Sequence, residues 1–345
     1  MSAEPRPSAA APALGAVARR PPAPRTGLVS ALASDGAAIA ADIKLAHSVF
    51  ALPFALLAAF LAAAPAGASA TAGPSAVDWP RFGLQLGLVV LAMVAARSAA
   101  MLANRYLDRA IDAENPRTAG RALPAGRLTP RRVLLAIGVA GAAFIVVAAA
   151  FGFLFGNWWP LALALPVLAW ICAYGWLKRF TALCHLYLGS SLAISPIAAA
   201  IAVDPAQAFQ PTLWLLAAMV LCWVAGFDVI YALQDVECDR RQGLHSVPSR
   251  WGVGAALWAS RGLHLLALAL LWRVALGDPR FGIAMTVAAA ITSLLLLIEH
   301  ATVLRWGTSR MALTFFTLNG VISCIIGGLG IVDVLRSAAA APQAP

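Results

Sequence analysis

Long apolar segments dominate this sequence and leave few folds open to it. Nine of them are close to the roughly 20 residues that an α-helix needs to cross a bilayer. They span residues 44–65, 83–103, 133–155, 158–177, 183–203, 212–233, 254–276, 282–304 and 312–335. Strands of a membrane β-barrel would be about 10 residues long with alternating polarity, and the sequence shows none. It therefore predicts an all-α polytopic membrane protein, with nine transmembrane helices in a bundle around a central cavity.

Composition supports this class and excludes others. Apolar residues make up 61% of the 345 positions and charged residues only 12%, against about 25% charged residues in a soluble protein. A disordered chain and a soluble enzyme are both excluded on these values. The 5 cysteines form no CxxC pair and lie mostly in apolar segments, so neither a disulfide scaffold nor a cysteine metal site is expected.

Three parts follow from the same pattern. Residues 1–40 are rich in Pro, Ala and Arg and are predicted to be a disordered cytoplasmic tail. Residues 41–336 form the predicted transmembrane domain, and residues 337–345 a loose C-terminal tail. Within the domain, the break between the third and fourth segments depends on Gly156 and Asn157.

Basic residues are unequally divided between the two sides of the predicted bundle. The loops that follow the even-numbered segments carry fourteen: Arg105, Arg109, Arg117, Arg121, Arg127, Arg131, Arg132, Lys178, Arg179, Arg240, Arg241, Arg250, Arg305 and Arg310. The opposite loops carry Arg81 and Arg280. Positive loops stay in the cytoplasm, so the N-terminus is predicted inside and the C-terminus outside. The net charge of +10 thus indicates orientation next to anionic lipid and not a nucleic-acid partner.

Two matched sets of polar residues follow the second and sixth segments. The members of each set lie four residues apart and share a helix face: Asn104, Asp108 and Asp112 in one, and Tyr231, Asp235 and Asp239 in the other. Facing carboxylates repel one another unless a cation lies between them. Because Mg²⁺ typically takes one or two carboxylates together with substrate phosphates, the four aspartates predict a magnesium site for a diphosphate. The alternative is that each acid pair is a solvated helix end bridged to nearby arginines.

Basic side chains near these acids are candidates for holding an anionic ligand. Arg117 and Arg121 lie in the turn-rich loop after the first set, while Lys44 and Lys178 lie at segment ends on the same side. Arg97 lies inside the second segment, where an arginine must find an acid, a cavity or a ligand.

The histidines are interpreted as structural side chains, and His264 and His300 are interpreted as unpaired.

A membrane transporter is the alternative from a different class of protein. The acids of transporters, however, tend to lie near the midplane of the membrane at broken helices. Here both acid sets lie at helix ends and continue into an arginine-rich loop, which favours an enzyme.

These residues resemble the UbiA superfamily of intramembrane aromatic prenyltransferases. The family pattern NDxxDxxxD is matched by Asn104, Asp108 and Asp112, with Arg105 in place of the Asp that commonly follows the Asn. The pattern YxxxDxxxD is matched by the second set, with Asp228 also in pattern. The stretch KLAHSVFALP that begins at Lys44 and the pair Tyr174 and Lys178 fit as well. The resemblance extends from about residue 44 to about residue 330. Within the superfamily, the sequence is most similar to the 4-hydroxybenzoate polyprenyltransferase-like branch.

The resemblance implies a Mg²⁺-dependent enzyme of the bacterial cytoplasmic (inner) membrane. It implies transfer of a polyprenyl group from polyprenyl diphosphate to an aromatic acceptor, with 4-hydroxybenzoate favoured and a naphthoate of menaquinone biosynthesis as the alternative. The four aspartates would hold the metal. The expected diphosphate contacts are Asn104, Arg105, Lys178 and the loop arginines. Tyr231 and Asp228 are expected near the reacting centre, and Arg97 or Arg121 at the acceptor's carboxylate.

Overall fold

The computed structural model describes residue 36 and the ranges 50–64 and 77–340. Throughout this part of the chain the regular elements are helical, so the predicted all-α class is confirmed there. Most of the predicted tail 1–40, and with it Lys44, lies outside the described residues.

Eleven α-helices follow one another within the described ranges. They are α1 Leu52–Ala63, α2 Trp79–Leu107, α3 Arg109–Glu114, α4 Pro130–Phe155, α5 Trp159–Leu177, α6 Cys184–Val203, α7 Pro211–Tyr231, α8 Val236–Arg241, α9 Val247–Gly277, α10 Ile283–Trp306 and α11 Asn319–Ala340. A π-helical segment, Ala312–Leu318, leads directly into α11.

Eight of these elements are long and apolar enough to cross a membrane, and the chain is an integral membrane protein. They are α2, α4, α5, α6, α7, α9, α10 and the π-helical segment continued by α11. At 12 residues, α1 is about 18 Å long and shorter than the hydrocarbon core. The segment predicted for it begins at residue 44, outside the described residues, so a ninth crossing stays a prediction.

Helix ends match the sequence signals closely, with two shifts. The predicted break after α4 is confirmed, because Gly156 adopts φ 73° and its N–H returns to the Gly152 carbonyl. α9 begins seven residues before the predicted segment, because Ser246 and Ser249 form a capping box, and it bends at Gly252, where φ is 85°. α11 continues to Ala340, into the stretch predicted as loose.

α7 is the best-buried of the spanning helices and organises the bundle. It packs against α6 and α9, while α1 packs against α6 and α11, and α2 packs against α4 and α5. Gly189 lets α6 approach closely, since a Cβ there would lie 2.4 Å from the Leu221 carbonyl oxygen. On the outside of the bundle, exposed side chains such as Leu135 and Phe153 present an apolar surface suited to lipid.

A buried ion pair ties three elements together where α7 begins. Arg280 donates to Asp278 through Nε (2.9 Å) and Nη2 (2.7 Å), and also to the Leu61 carbonyl at the end of α1 (2.8 Å) and Gln210 (2.9 Å). Thr212 donates to Asp278 at 2.5 Å. Burial by itself raises the pKa of Asp278, but these bonds from Arg280 and Thr212 outweigh it and lower the pKa below its ordinary value.

Candidate active site

The two acid motifs have the same local backbone. α2 ends before Asp108 (φ −87°, ψ 3°) and α7 ends shortly before Asp235 (φ −109°, ψ 5°), and each aspartate leads into a six-residue helix, α3 or α8. In both, the second acid donates its N–H to the carbonyl of the first at 2.7 Å. The predicted repeat is therefore present, but each helix breaks at its first aspartate, a residue type that favours helix starts.

Asp108 contacts three polar side chains although it is only 4% exposed. Lys178 Nζ lies 3.1 Å away, Arg179 Nη2 3.2 Å and Asn104 Nδ2 3.0 Å. Gly175 of α5 makes room for Asn104, because a Cβ there would lie 2.7 Å from Asn104 Nδ2. The sequence places Arg179 next to Lys178 at the end of the fourth predicted segment, but it assigns no ligand to Arg179.

Asp112 and Arg121 form a second close pair. Arg121 Nη1 lies 2.7 Å from both carboxylate oxygens, and Asp112 is 4% exposed. Thr118 donates to the Asp112 carbonyl at 3.0 Å and fixes the loop that carries Arg121. Of the two arginines predicted for an acceptor carboxylate, Arg121 thus binds an acid of the chain itself.

The loop after the first motif reaches the second motif. Asn115 Nδ2 lies 2.8 Å from Asp235 Oδ1, and Arg117 donates to Asp235 through Nε (3.0 Å) and Nη2. Arg117 also donates to the Tyr231 hydroxyl at 3.1 Å. The motifs therefore meet at one end of the bundle, which we name the motif end. Asn115 had no predicted role, although the Asn-Pro-Arg sequence contained the signal.

Asp239 is held by a side chain that sequence reasoning did not single out. Ser246 Oγ donates to Asp239 Oδ2 at 2.7 Å, and the same serine caps α9. Burial raises the pKa of Asp239, and the hydrogen bond from Ser246 only partly offsets this, so the pKa lies above its ordinary value. Ser246 thereby joins the second motif to the start of α9.

The chemistry of these donors fits Mg²⁺, which prefers carboxylate and amide oxygens. In the described part of the chain no three His, Cys, Asp or Glu side chains are grouped closely enough to hold a metal ion. Three of the four aspartates are instead bonded to Lys or Arg, as the alternative interpretation expected. In the chain alone, cations of neighbouring loops thus balance the acids.

An apolar cavity of about 270 Å³ lies between α2, α4, α5 and α6. It is lined from Val89 to Met101 on α2, about 18 Å along the helix. Arg97 and Tyr174 line it as well, and among the described residues Arg97 Nε and Ser195 Oγ find no hydrogen-bond partner. The cavity lies between these four helices; that the whole bundle surrounds a central cavity stays a prediction.

The remaining predicted ligand residues are distributed around this region. Arg105 is buried, and its Nη1 lies 3.4 Å from Asn104 Oδ1. The Tyr174 hydroxyl contacts Met101 Sδ at 3.9 Å. The Tyr174 side chain lines the apolar cavity, as Arg97 does.

Helix packing pairs the histidines that looked isolated in the sequence. The prediction that His264 and His300 are unpaired is wrong, because α9 and α10 bring His264 Nδ1 to 3.0 Å from His300 Nε2. His185 Nδ1 lies 2.6 Å from Asp228 Oδ2. The two residues of each pair are separated by 36 and 43 positions in the sequence, so no local spacing could predict the pairs.

A buried carboxyl also escaped sequence reasoning. Glu299 of α10 is fully buried and accepts from Asn319 Nδ2 at 3.3 Å. Asn319 also donates to the Thr314 carbonyl in the π-helical segment and accepts from the Trp223 indole at 2.7 Å. The network therefore stabilises the irregular backbone before α11.

Known proteins resemble this chain over most of its length. The model of the UbiA prenyltransferase family matches residues 51–325. A protein named 4-hydroxybenzoate octaprenyltransferase from Colwellia psychrerythraea is 34% identical over 205 residues, 57% of this chain and 65% of that protein. One of the same name from Hahella chejuensis is 33% identical over 193 residues, 55% of this chain and 60% of that protein. The chain thus spans less than two thirds of these relatives.

Solved structures share the fold. The apo structure of a UbiA homolog from Aeropyrum pernix K1 has a TM-score of 0.69 and 32% identity, and covers 83% of this chain and 98% of that one. A UbiA homolog from Archaeoglobus fulgidus bound to DMAPP and Mg²⁺ has a TM-score of 0.62 and 16% identity, and covers 86% and 99%.

Proposed function

We propose that this chain, which belongs to the UbiA prenyltransferase family, transfers a polyprenyl group from polyprenyl diphosphate to an aromatic acceptor. The favoured acceptor is 4-hydroxybenzoate, since the relatives described above are named for it. The reaction belongs to quinone biosynthesis, in the bacterial inner membrane with the motif end facing the cytoplasm.

One observation carries this proposal: the two acid motifs meet through the loop between α3 and α4. Asn115 and Arg117 of that loop bind Asp235 of the second motif, while Arg121 of the same loop binds Asp112 of the first. The loop therefore lies over both acid pairs with two arginines. Such an arrangement suits a diphosphate whose negative charge lies among carboxylate-bound metal and arginine.

The acids and cations have separate tasks in the proposed site. Asp108, Asp112, Asp235 and Asp239 would hold Mg²⁺, which when bound neutralises charge on the diphosphate and supports its departure. Arg117, Arg121 and Lys178, freed from the acids, would donate to the diphosphate oxygens. The positive groups are fixed before reaction, so they stabilise the negative charge as it grows on the leaving group.

The transfer exchanges one bond for another at the allylic carbon. The C1–O bond breaks and its electron pair leaves with the diphosphate, a ring carbon then bonds to C1, and the ring loses a proton to a base. The allylic cation survives only where water is excluded. The apolar cavity between α2, α4, α5 and α6 supports such exclusion and offers space for part of the isoprenoid chain.

Arg97 is the proposed partner of the acceptor's carboxylate. Its Nε and the Ser195 hydroxyl lack partners in the described part of the chain and both line the cavity. A buried guanidinium nitrogen without a hydrogen-bond acceptor is unfavourable until an anion binds to it. We expect Arg97→Gln to raise the KM for 4-hydroxybenzoate while leaving the KM for the prenyl diphosphate unchanged.

Purified protein in lipid nanodiscs tests the proposal with radiolabelled polyprenyl diphosphate, Mg²⁺ and a panel of acceptors. Product is expected with 4-hydroxybenzoate and is to be compared with 1,4-dihydroxy-6-naphthoate and 1,4-dihydroxy-2-naphthoate. Asp108→Asn and Asp235→Asn should each reduce the rate by at least about 100-fold, since loss of a residue that only supports a metal ligand already costs about 10- to 100-fold. Asp204→Asn, at the far end of α6, is the matched control and should retain full activity.

Two results would contradict the proposal. Absence of product with every acceptor would contradict the proposed prenyl transfer to these rings. Full activity of Asp108→Asn or Asp235→Asn in folded protein would contradict the proposal that these aspartates hold Mg²⁺.

A further inference from the structure

We infer that His185 is a positioning residue for Asp228. It holds one carboxylate oxygen of Asp228 so that the other oxygen faces the aromatic acceptor and takes the proton that the acceptor's ring carbon loses. This inference rests on the proposed function and extends it. His185 lies at the start of α6 and is 4% exposed. It has no place in the predicted sets of metal, diphosphate and acceptor ligands.

The contacts of His185 determine where its proton lies. The backbone N–H of Val247 points to His185 Nε2 at 3.2 Å. A backbone N–H can only donate, so Nε2 is the unprotonated acceptor nitrogen. The N–H proton of the imidazole is therefore on Nδ1, which lies 2.6 Å from Asp228 Oδ2 and donates to it. The imidazole is locked in this tautomer, and its own basic nitrogen is occupied.

Asp228 has one oxygen bound and one open. Its side chain is 21% exposed, and Oδ1 has no hydrogen-bond partner among the described residues. Asp228 precedes Tyr231 of the second motif by one helical turn on α7. Asp228 Oδ1 is therefore the carboxylate oxygen left open to take a proton, one turn away from the second motif.

This geometry supplies the last step of the proposed transfer. After the new carbon–carbon bond forms, the ring carbon still carries a hydrogen. The electron pair of that C–H bond returns to the ring and restores aromaticity, and the proton passes to Asp228 Oδ1. The hydrogen bond from His185 stays on Oδ2 throughout, so it prevents the carboxylate from turning towards the cations at the motif end.

Two substitutions of His185 separate this role from a purely structural one. In His185→Asn the side-chain amide takes the place of Nδ1–H and keeps a donor for Asp228. In His185→Gln the amide oxygen reaches the place of Nε2 and keeps the acceptor for Val247, but Asp228 loses its donor. We expect His185→Asn to retain kcat within about fivefold. His185→Gln should lose about ten- to hundredfold in kcat, the range for a hydrogen bond to a charged group, with an unchanged KM for the prenyl diphosphate.

A role limited to bracing α9 through Val247 gives the reverse order, with His185→Gln active and His185→Asn impaired. That order, or equal rates for the two variants, overturns the positioning role while wild-type product still supports the proposed function. Absence of product from the wild type overturns the proposed function and the proton-transfer step with it.

A spectroscopic test applies even where a variant fails to fold. In wild-type protein labelled with ¹⁵N-histidine, His185 should show the Nδ1-protonated neutral tautomer, and Asp228→Asn should shift its Nδ1 resonance. An Nε2-protonated ring, or no response to Asp228→Asn, overturns the assignment.

Discussion

At the scale of single residues, the motif end is governed by charge pairing at short range. Asp108 and Asp112 are almost completely buried, and each is balanced by a cation within 3.2 Å. Removing one partner of such a pair leaves an uncompensated charge, which is costlier than the pair is favourable. In the proposed site, the same cations can instead bind a negatively charged substrate that enters together with a metal ion.

The clearest residue-scale prediction concerns a glycine. Gly175→Ala places a methyl group 2.7 Å from Asn104 Nδ2, so Asn104 must move away from Asp108. We expect the KM for the prenyl diphosphate to rise about tenfold, the equivalent of losing one charge-assisted hydrogen bond. Steady-state kinetics measures this.

Gly138→Ala is the control, because a Cβ at that exposed position of α4 meets nothing within 4 Å. An unchanged KM in Gly175→Ala would show that Asn104 does not set the position of Asp108.

At the scale of elements, irregular backbone occurs where polar groups are needed. Both motifs lie at breaks between a long helix and a short one. The π-helical segment before α11 carries Phe315, whose ring centroid lies 4.2 Å from that of Tyr231. π-helical turns are frequent at functional sites. Each break exposes carbonyls, and side chains such as Asn319 satisfy them.

The buried pair Asp278 and Arg280 gives a prediction about helix assembly. Asp278→Asn leaves Arg280 buried without its counter-ion and should lower the free energy of unfolding by about 3 to 5 kcal/mol. Thermal unfolding in detergent at pH 7 measures the effect. Asp78→Asn is the control, since this exposed aspartate caps α2 and Asn caps almost equally well.

The pH dependence of the same pair has a definite sign. The pKa of Asp278 is lower in the folded protein than its ordinary value of 3.8, so the unfolded state binds the proton more readily. The ionised Asp278 therefore stabilises the folded protein fully above its ordinary pKa, and this stabilisation is lost as the pH falls through the lower pKa of the folded state. The difference in Tm between wild type and Asp278→Asn should therefore narrow below pH 3.8; a constant difference would contradict the assignment.

At the scale of the whole molecule, the bundle has two unlike ends. The motif end contains both acid sets and the arginine-rich loop. At the opposite end, the buried pair Asp278 and Arg280 connects α1, α7 and the loop before α10. Between them lies apolar surface on the outside and an apolar cavity on the inside. A substrate with a charged head and a hydrocarbon chain matches this polarity along its length.

The predicted orientation is a property of the whole molecule and is testable as such. Gly120→Cys at the motif end and Ala206→Cys at the opposite end, each in a cysteine-free chain, should label from opposite sides of the membrane. With a membrane-impermeant maleimide, Gly120→Cys should react only in inside-out vesicles and Ala206→Cys only in right-side-out vesicles. The reverse pattern would contradict a cytoplasmic motif end.

The local features of the site were predictable, whereas its partnerships were not. Four-residue spacing identified Asp108, Asp112, Asp235 and Asp239, and Gly156 identified a helix end, because both depend on residues within one or two turns. Asn115 and Ser246 were missed because each acts on a residue of another element. His185 looked structural for the same reason, since Asp228 lies 43 residues away.

Sequence alone determined the class of protein, the helical fold and the two acid motifs. These follow from the length of the apolar segments and from helix periodicity, which act within one element and need no tertiary contact. Only the tertiary structure decided that Arg117 and Arg121 bind the acids, that the loop after α3 joins the two motifs, and that His185 holds Asp228. The physical reason is range: hydrogen bonds and ion pairs act over about 3 Å, and only packing brings residues from distant helices that close.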